Sequence, residues 1–307
     1  LDGTMRHSKE DLRTIEMSQA QQQVINHGPR TAWLAALRLL LSRMEKYTWP
    51  NVPIGRSAAV VLGVVAMVVV LAIWAALSYS GFVEPFFLPT PSAVLSRAIQ
   101  VYLHEGYLTD IRVSVVRVCG AFLAAAIVAV PLGIVIGAFA APAALLEPLI
   151  GAIRYMPPVA FVPLLIVWLG IGETEKWSVI WIGVFFPLTL LVAAVAKNVP
   201  HEQIQVAYTL GARRREVFWK VLVPAALPGI FDTLRITLGY SWTYLVLAEI
   251  IAAESGIGYR IIVAQRYLQT DGILVGILTI GLLGVCTDVL MRVLYRKLFN
   301  YSGGAGR

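Results

Sequence analysis

Four stretches of this 307-residue chain run for 18 to 21 residues without a charged side chain: Ala58 to Ser78, Val118 to Ala138, Tyr155 to Gly172 and Trp177 to Ala196. A hydrocarbon layer about 30 Å thick needs roughly 20 such residues at helical rise. A surface helix of a soluble domain would keep one polar face, and these segments are apolar all round. Two later segments have the same character: Ile236 to Ala253, which encloses Glu249, and Gly272 to Thr287, which runs into Asp288. The reading is therefore six spans. Charged residues make up 14% of the chain, against about 25% in soluble domains. A membrane β-barrel would show short alternating segments instead. The sequence predicts an all-α, polytopic integral membrane protein.

The basic residues give it an orientation. With the N-terminus inside and six spans following, residues 1–57 carry eight Lys and Arg, and the loop between spans four and five carries Lys197, Arg213, Arg214, Arg215 and Lys220. The C-terminal end adds Arg292, Arg296, Lys297 and Arg307, making seventeen on one side. The opposite loops hold only Arg97, Lys176, Arg260 and Arg266. Positive residues gather on the cytoplasmic side, so both termini are expected there. The formal charge of +7 follows from this asymmetry, and a nucleic-acid partner is not expected. The first thirty residues are polar, without the apolar core of a signal peptide. The chain divides into a cytoplasmic tail over 1–57, a transmembrane domain over 58–300 and a flexible tail over 301–307.

Within the first tail, Trp33, Leu34, Leu37, Leu40, Leu41 and Met44 form one helical stripe, suited to a membrane interface or to a partner subunit. After span one, Phe87-Leu88-Pro89-Thr90-Pro91-Ser92 predicts a rigid extended turn, with Thr90 capping a short helix that begins at Pro91. Cys119 and Cys286 both fall in apolar spans and read as small hydrophobes, so neither a disulfide nor a metal site is expected.

The loop over 197–230 differs from its surroundings, being long, basic and strongly punctuated. Pro200 suits a helix start, and Glu202 meets the dipole in its first turn. Gly211 ends that helix. A second helical stretch carries Val217, Phe218 and Val221 on one face, and Pro224 and Pro228 are expected to interrupt it. Arg213 stands where a capping side chain belongs, so the second helix is expected to start less cleanly. Together these make a helix–turn–helix hairpin joined to the spans through a proline-rich elbow.

Inside the spans, Tyr155, Met156, Pro157 and Pro158 predict a local break whose free carbonyls face protein or a cavity. Discontinuous helices often build transporter sites. A kink needed only for packing is the alternative. Tyr240, Ser241, Trp242 and Tyr244 are unusually polar and aromatic for their depth; they suit a pathway lining or helix–helix hydrogen bonding. Glu249 either lines that pathway or makes a structural ion pair. Most other charges near span ends, Arg112, Arg117, Arg154, Arg235 and Asp288 among them, read as snorkelling. Asp232 is placed to pair with Arg235 one turn away. Gly133 and Gly137 permit close helix approach.

The hairpin resembles the cytoplasmic signature loop of permease subunits in ABC importers. Gln205-Val206-Ala207, Gly211 with Ala212, and Val221-Leu222-Val223-Pro224 occupy the positions of a Glu-Ala-Ala, Gly and Ile-x-Leu-Pro pattern with identical spacing. The glycine and the proline match, and the glutamate has become Gln205. The segments FLPTPSAV, YMPPVAFVPLLIVWLGIGETEK, YTLGARRREVFWKVLVPAALPGI and AEIIAAESGIGYRIIVAQRYLQTD resemble the taurine, sulfonate and nitrate/bicarbonate permeases, the last being nearer the taurine and alkanesulfonate members. This resemblance implies a type I ABC importer permease in the bacterial inner membrane, working as a dimer. It further implies two ATPase subunits docked on the 197–230 loop, around Arg214, and a periplasmic or lipid-anchored substrate-binding protein. No G-x-x-x-x-G-K-[ST] loop occurs in the chain, so ATP and Mg are expected on the partner and no cofactor on this subunit. A membrane-embedded enzyme would need converging catalytic side chains, whereas the four histidines, His7, His27, His104 and His201, are scattered along the chain. A channel or scaffold would leave the basic hairpin unexplained.

Overall fold

The computed structural model describes residues 55–299. The stripe over 31–47, the rest of the first tail up to residue 54 and the C-terminal tail lie outside them. The chain separates into two compact units, 1–73 and 74–307. In the first, the described residues enter helix α1, Arg56–Tyr79. In the second, α1 finishes and ten more α-helices follow among the described residues. They are α2 (Pro91–His104), α3 (Tyr107–Ala138), α4 (Ala140–Ile153), α5 (Val162–Leu169), α6 (Glu173–Lys197), α7 (His201–Thr209), α8 (Arg214–Val217), α9 (Val223–Ala252), α10 (Ile257–Arg266) and α11 (Thr270–Leu298). No strand occurs among the described residues.

Five helical stretches are long and apolar enough to cross a membrane: Ser57–Tyr79, Tyr107–Ala138, Glu173–Lys197, Arg214–Ile251 and Thr270–Leu298. The region of the span expected over 155–172 is not one straight helix, and it would cross only together with the helix before it. The two make a broken pair, α4 followed by Pro158–Leu169, bent by 82°. Pro157 is extended at φ −60° and ψ 127°, and Pro158 opens a 3-10 turn that leads into α5. Two adjacent prolines offer no N–H to the preceding turn, so the helix stops there.

The core is made by α3, α6 and α9. Val118, Phe122, Ala125 and Ala129 pack with Ile180, Val184, Leu188 and Val192, and with Ala226, Ile230, Trp242 and Leu245. What lets α3 lie so close to α6 is a ridge of small residues at every fourth position: Ala121, Ala125, Ala129, Gly133 and Gly137. A β-carbon on Gly133 would sit 2.6 Å from the Thr189 carbonyl oxygen and 2.7 Å from Val192 Cβ. One on Gly137 would strike the carbonyl of Ala193. In lipid, where apolar side chains gain little by leaving the solvent, such close backbone approach contributes van der Waals cohesion.

The hairpin and the fifth span are more continuous than the prolines suggested. A π-helical turn, Phe218–Leu222, links α8 to α9, and the Val223 N–H reaches back five residues to the Phe218 carbonyl. Pro224 has no N–H for the carbonyl of Lys220, and the wider turn re-registers the ladder around that gap. There is no elbow, and the stretch Arg214–Ile251 reads as one span. At the start of α2, Thr90 Oγ1 accepts the Ala93 N–H at 3.3 Å and Pro91 follows the cap, as expected. Cys119 is half-buried and Cys286 is exposed.

Candidate functional site

Helix α7 begins after Pro200, with Glu202 in its first turn. It closes in a Schellman motif: the Gly211 N–H donates to the Tyr208 carbonyl at 2.9 Å and the Ala212 N–H to the Ala207 carbonyl at 3.0 Å. Gly211 has φ +82°, a left-handed conformation open to glycine at no steric cost. The next helix starts at Arg213, whose side chain has no acceptor to offer. The reciprocal half of the cap replaces it, the Glu216 carboxylate accepting the Arg213 backbone N–H at 3.0 Å.

No residue of α7 is buried. Val206, Tyr208 and Leu210 expose apolar surface, Leu210 at 83%, while Ile204 alone on this helix packs onto the core. Gln205, Gly211 and Arg214 are exposed and Ala207 and Ala212 half-buried. Pro224, expected in this loop, belongs to the base of the fifth span. The joint between loop and spans is aromatic. Phe218 stacks on Phe139, at the corner between α3 and α4, with centroids 5.4 Å apart. The Arg214 guanidinium lies 5.3 Å over the Phe139 ring.

The opposite end of α3 carries an ion-pair network. Asp110, Ser114 and Arg117 share one face of the helix and are all buried. All five guanidinium hydrogens of Arg117 find acceptors. Nε and Nη2 grip the two oxygens of Glu173, Nη1 donates to Glu249 Oε1 at 2.8 Å and to the Ser255 carbonyl at 2.7 Å, and Nη2 also reaches Ser255 Oγ. Glu249, fully buried near the end of α9, further accepts Ser114 Oγ at 2.7 Å and the Gly258 N–H at 2.8 Å. Asp110 takes the Gly256 N–H at 2.8 Å and Arg260 Nε at 2.6 Å, and Ser114 Oγ accepts the Ile257 N–H. Three successive amides at the start of α10 are thus held by α3 and α9, where the helix dipole favours acids. Gly256 has φ +111°, and a β-carbon there would run into the Glu249 carboxylate. Arg260 continues the chain to the carbonyl of Glu105, and Arg97 joins Glu105 to Gln269.

These contacts revise several expectations. Arg117 is 1% exposed and does not snorkel. Arg235 pairs with Asp288 across helices rather than with Asp232, and Arg292 shares that carboxylate. Ser241, Trp242 and Glu249 are buried within the protomer and cannot line an open surface of this conformation. Ser241 donates to the Thr237 carbonyl and Trp242 Nε1 to Thr287 Oγ1 at 3.2 Å. The half-buried Tyr244 fills the space over Gly183. Tyr155, Met156 and Tyr240 remain exposed, with Pro157 and Pro158 at the break beside the first two. Tyr155 is covered on one side by Arg154, 4.7 Å from its ring. Sequence reasoning missed the network as a unit. Its one visible trace was the spacing of Asp110, Ser114 and Arg117 along a single helical face.

Comparison with known proteins identifies the family of the chain. Residues 129–300 match the family described as "Binding-protein-dependent transport system inner membrane component". The taurine transport system permease protein TauC of Escherichia coli K12 is 35% identical over 86% of this chain and 96% of its own length. The putative aliphatic sulfonates transport permease SsuC of Bacillus subtilis 168 is 31% identical over 78% and 87%. The inward-facing MetNI methionine ABC transporter shares the fold at a TM-score of 0.50, with 18% identity over 59% of this chain and 92% of that one. The chain therefore belongs to the family of inner-membrane permease components of binding-protein-dependent ABC transport systems.

Proposed function

We propose that this permease imports a small sulfonate anion of the taurine or alkanesulfonate class, handed to it by a soluble binding protein and driven by ATP hydrolysis on separate subunits. The observation that carries the substrate class is the match to the taurine permease over 96% of that protein's length. Coupling rests on α7, a helix with no buried residue and with Val206, Tyr208 and Leu210 presenting apolar surface. Exposed apolar knobs on a rigidly capped helix suit the groove of a partner protein. The seventeen-to-four distribution of basic residues supports a cytoplasmic position for that helix and for both termini. The network around Arg117 then faces outward. Two permease copies and two ATPase subunits complete the complex, and ATP with Mg belongs to the ATPases.

The test is reconstitution into proteoliposomes with the ATPase and the binding protein, comparing uptake of labelled taurine, an alkanesulfonate, nitrate and bicarbonate. Uptake of a sulfonate that requires both partners is expected. Exclusive uptake of nitrate or bicarbonate would overturn the substrate class, and ATP turnover by the purified permease alone would overturn the division of labour.

A further inference from the structure

The connection from α10 to α11 is closed like the end of α7, with the wrong residue for the job. The Leu268 N–H donates to the Gln265 carbonyl at 3.0 Å and the Gln269 N–H to the Ala264 carbonyl at 2.9 Å. These are the two bonds of a Schellman motif, and its left-handed position holds Leu268 at φ +57°. Every other positive-φ residue among the described ones is a glycine. A leucine in this region is strained by its β-carbon, and strain of this kind persists where the surroundings over-determine it.

The surroundings here do so. Gln269 is held by Arg97 Nη2 at 3.2 Å, and Arg97 is tied through Glu105 to Arg260, Asp110 and the amide of Gly256. The ion-pair network therefore continues to the foot of this turn. The strain gives no burial in return. Leu268 is 66% exposed and the adjacent Tyr267 73%, with Arg266 also exposed. The turn is a stiff ridge of one cation, one aromatic and one aliphatic side chain aimed away from the bundle.

We infer that Arg266, Tyr267 and Leu268 form a preformed seat for the soluble binding protein, with Leu268 as its central anchor. This rests on the importer reading, which puts the ridge on the outward side and, through the family's dependence on a binding protein, supplies the partner that must dock there. Tyrosine and arginine flanking an apolar anchor are the side chains that dominate docking energetics. The strained turn fixes them before the partner arrives, so little ordering entropy is lost on docking. The matching surface on the binding protein is an apolar socket with an acidic edge facing Arg266.

Leu268→Gly separates strain from docking, because glycine adopts this conformation freely and removes the anchor. In the reconstituted complex, its Tm should equal or exceed the wild type's, while the concentration of binding protein needed for half-maximal ATPase stimulation should rise about tenfold. Basal ATPase activity without binding protein should not change. Tyr267→Ala should weaken stimulation in the same direction. The Leu268→Cys variant, in a background lacking Cys119 and Cys286, should react with an impermeant thiol reagent from outside and be protected by added binding protein. Normal stimulation of Leu268→Gly would overturn the inference. So would a Leu268→Cys thiol that is labelled but unprotected, or one shielded by lipid. If the wild-type complex shows no response to binding protein, it is the importer reading that fails instead.

Discussion

Removing the Glu249 carboxylate should unfasten the Arg117 end of the bundle, and the size of the effect follows from what that carboxylate holds. Glu249→Ala deletes the acceptor for Ser114 Oγ, Arg117 Nη1 and the Gly258 N–H, all between 2.7 and 2.8 Å. Arg117 then remains buried with Glu173 as its one acidic partner, and the Glu173 side chain is 60% exposed. Breaking a buried pair from one side costs ~3–5 kcal/mol, because the remaining charge has lost its compensation. At about 2–4 °C per kcal/mol for a chain of this size, the midpoint of thermal unfolding should fall by roughly 10 °C. Glu249→Gln, which keeps the carbonyl acceptor, should lose less. The double variant Arg117→Met with Glu249→Leu should melt above Glu249→Ala, since no unpaired buried charge remains. The measurement is thermal unfolding of the purified permease in detergent, alongside uptake by the reconstituted complex. If Glu249→Ala melts with the wild type while the KM for substrate shifts, the carboxylate contacts the substrate and the clamp argument fails.

Gly211→Val forces a β-branched residue to φ +82°, so transport should fall steeply while expression and membrane insertion survive; Gly211→Asn should be milder, as Asn tolerates the left-handed region. Arg214→Ala, which gives up one exposed cation over Phe139 worth about 0.5–1 kcal/mol, should have a smaller effect, and normal uptake by Gly211→Val would remove α7 from the coupling scheme. Single cysteines at the exposed positions Leu210 and Tyr267, without Cys119 and Cys286, should be labelled from opposite sides of the membrane by an impermeant thiol reagent; labelling of position 210 from outside intact cells would invert the topology.

The spans were legible because run length and the absence of charge are local properties, and bilayer thickness converts them directly into helices. The hairpin was legible because glycine and proline act locally: Gly211 had to close a helix whatever surrounded it. The third span misled for the same reason. Its uncharged run is only half helical, and the companion helix α4, with Pro142, Glu147 and Pro148, falls outside every uncharged run. The prolines at 224 and 228 looked like breakers because the π-helical turn that absorbs the first has no sequence signature. The network was hidden for a different reason. Arg117 and Glu249 are 132 residues apart, so each looked like a solitary charge near a membrane edge. Only the packing of α3 against α9 turns two apparent costs into one satisfied pair.

That pair, taken with the aromatic joint at the far end, constrains how the subunit moves. Helix α3 runs from Arg117 in its first third to the corner at Phe139. The stretch from Arg214 to Ala252 runs beside it in the opposite sense. The two are fastened twice, by Arg117 to Glu249 at one end and by Phe139 to Phe218 at the other. Between the fastenings, the ridge of small residues locks α3 onto α6. A displacement delivered to α7 through the Gly211 turn is therefore expected to carry α3, α6 and α9 together, because packed interfaces of this kind shift between discrete arrangements rather than shear continuously. Relative motion must then be taken up where the chain lacks such fastenings. The 82° break between α4 and α5 is the obvious place. There Tyr155 and Met156 stand exposed, and Pro157 and Pro158 leave the helical ladder open. On this reasoning the apolar bundle of α3, α6 and α9 should move as the rigid part of the transporter, and the proline break, where the sequence first suggested a pathway, should be the part that yields.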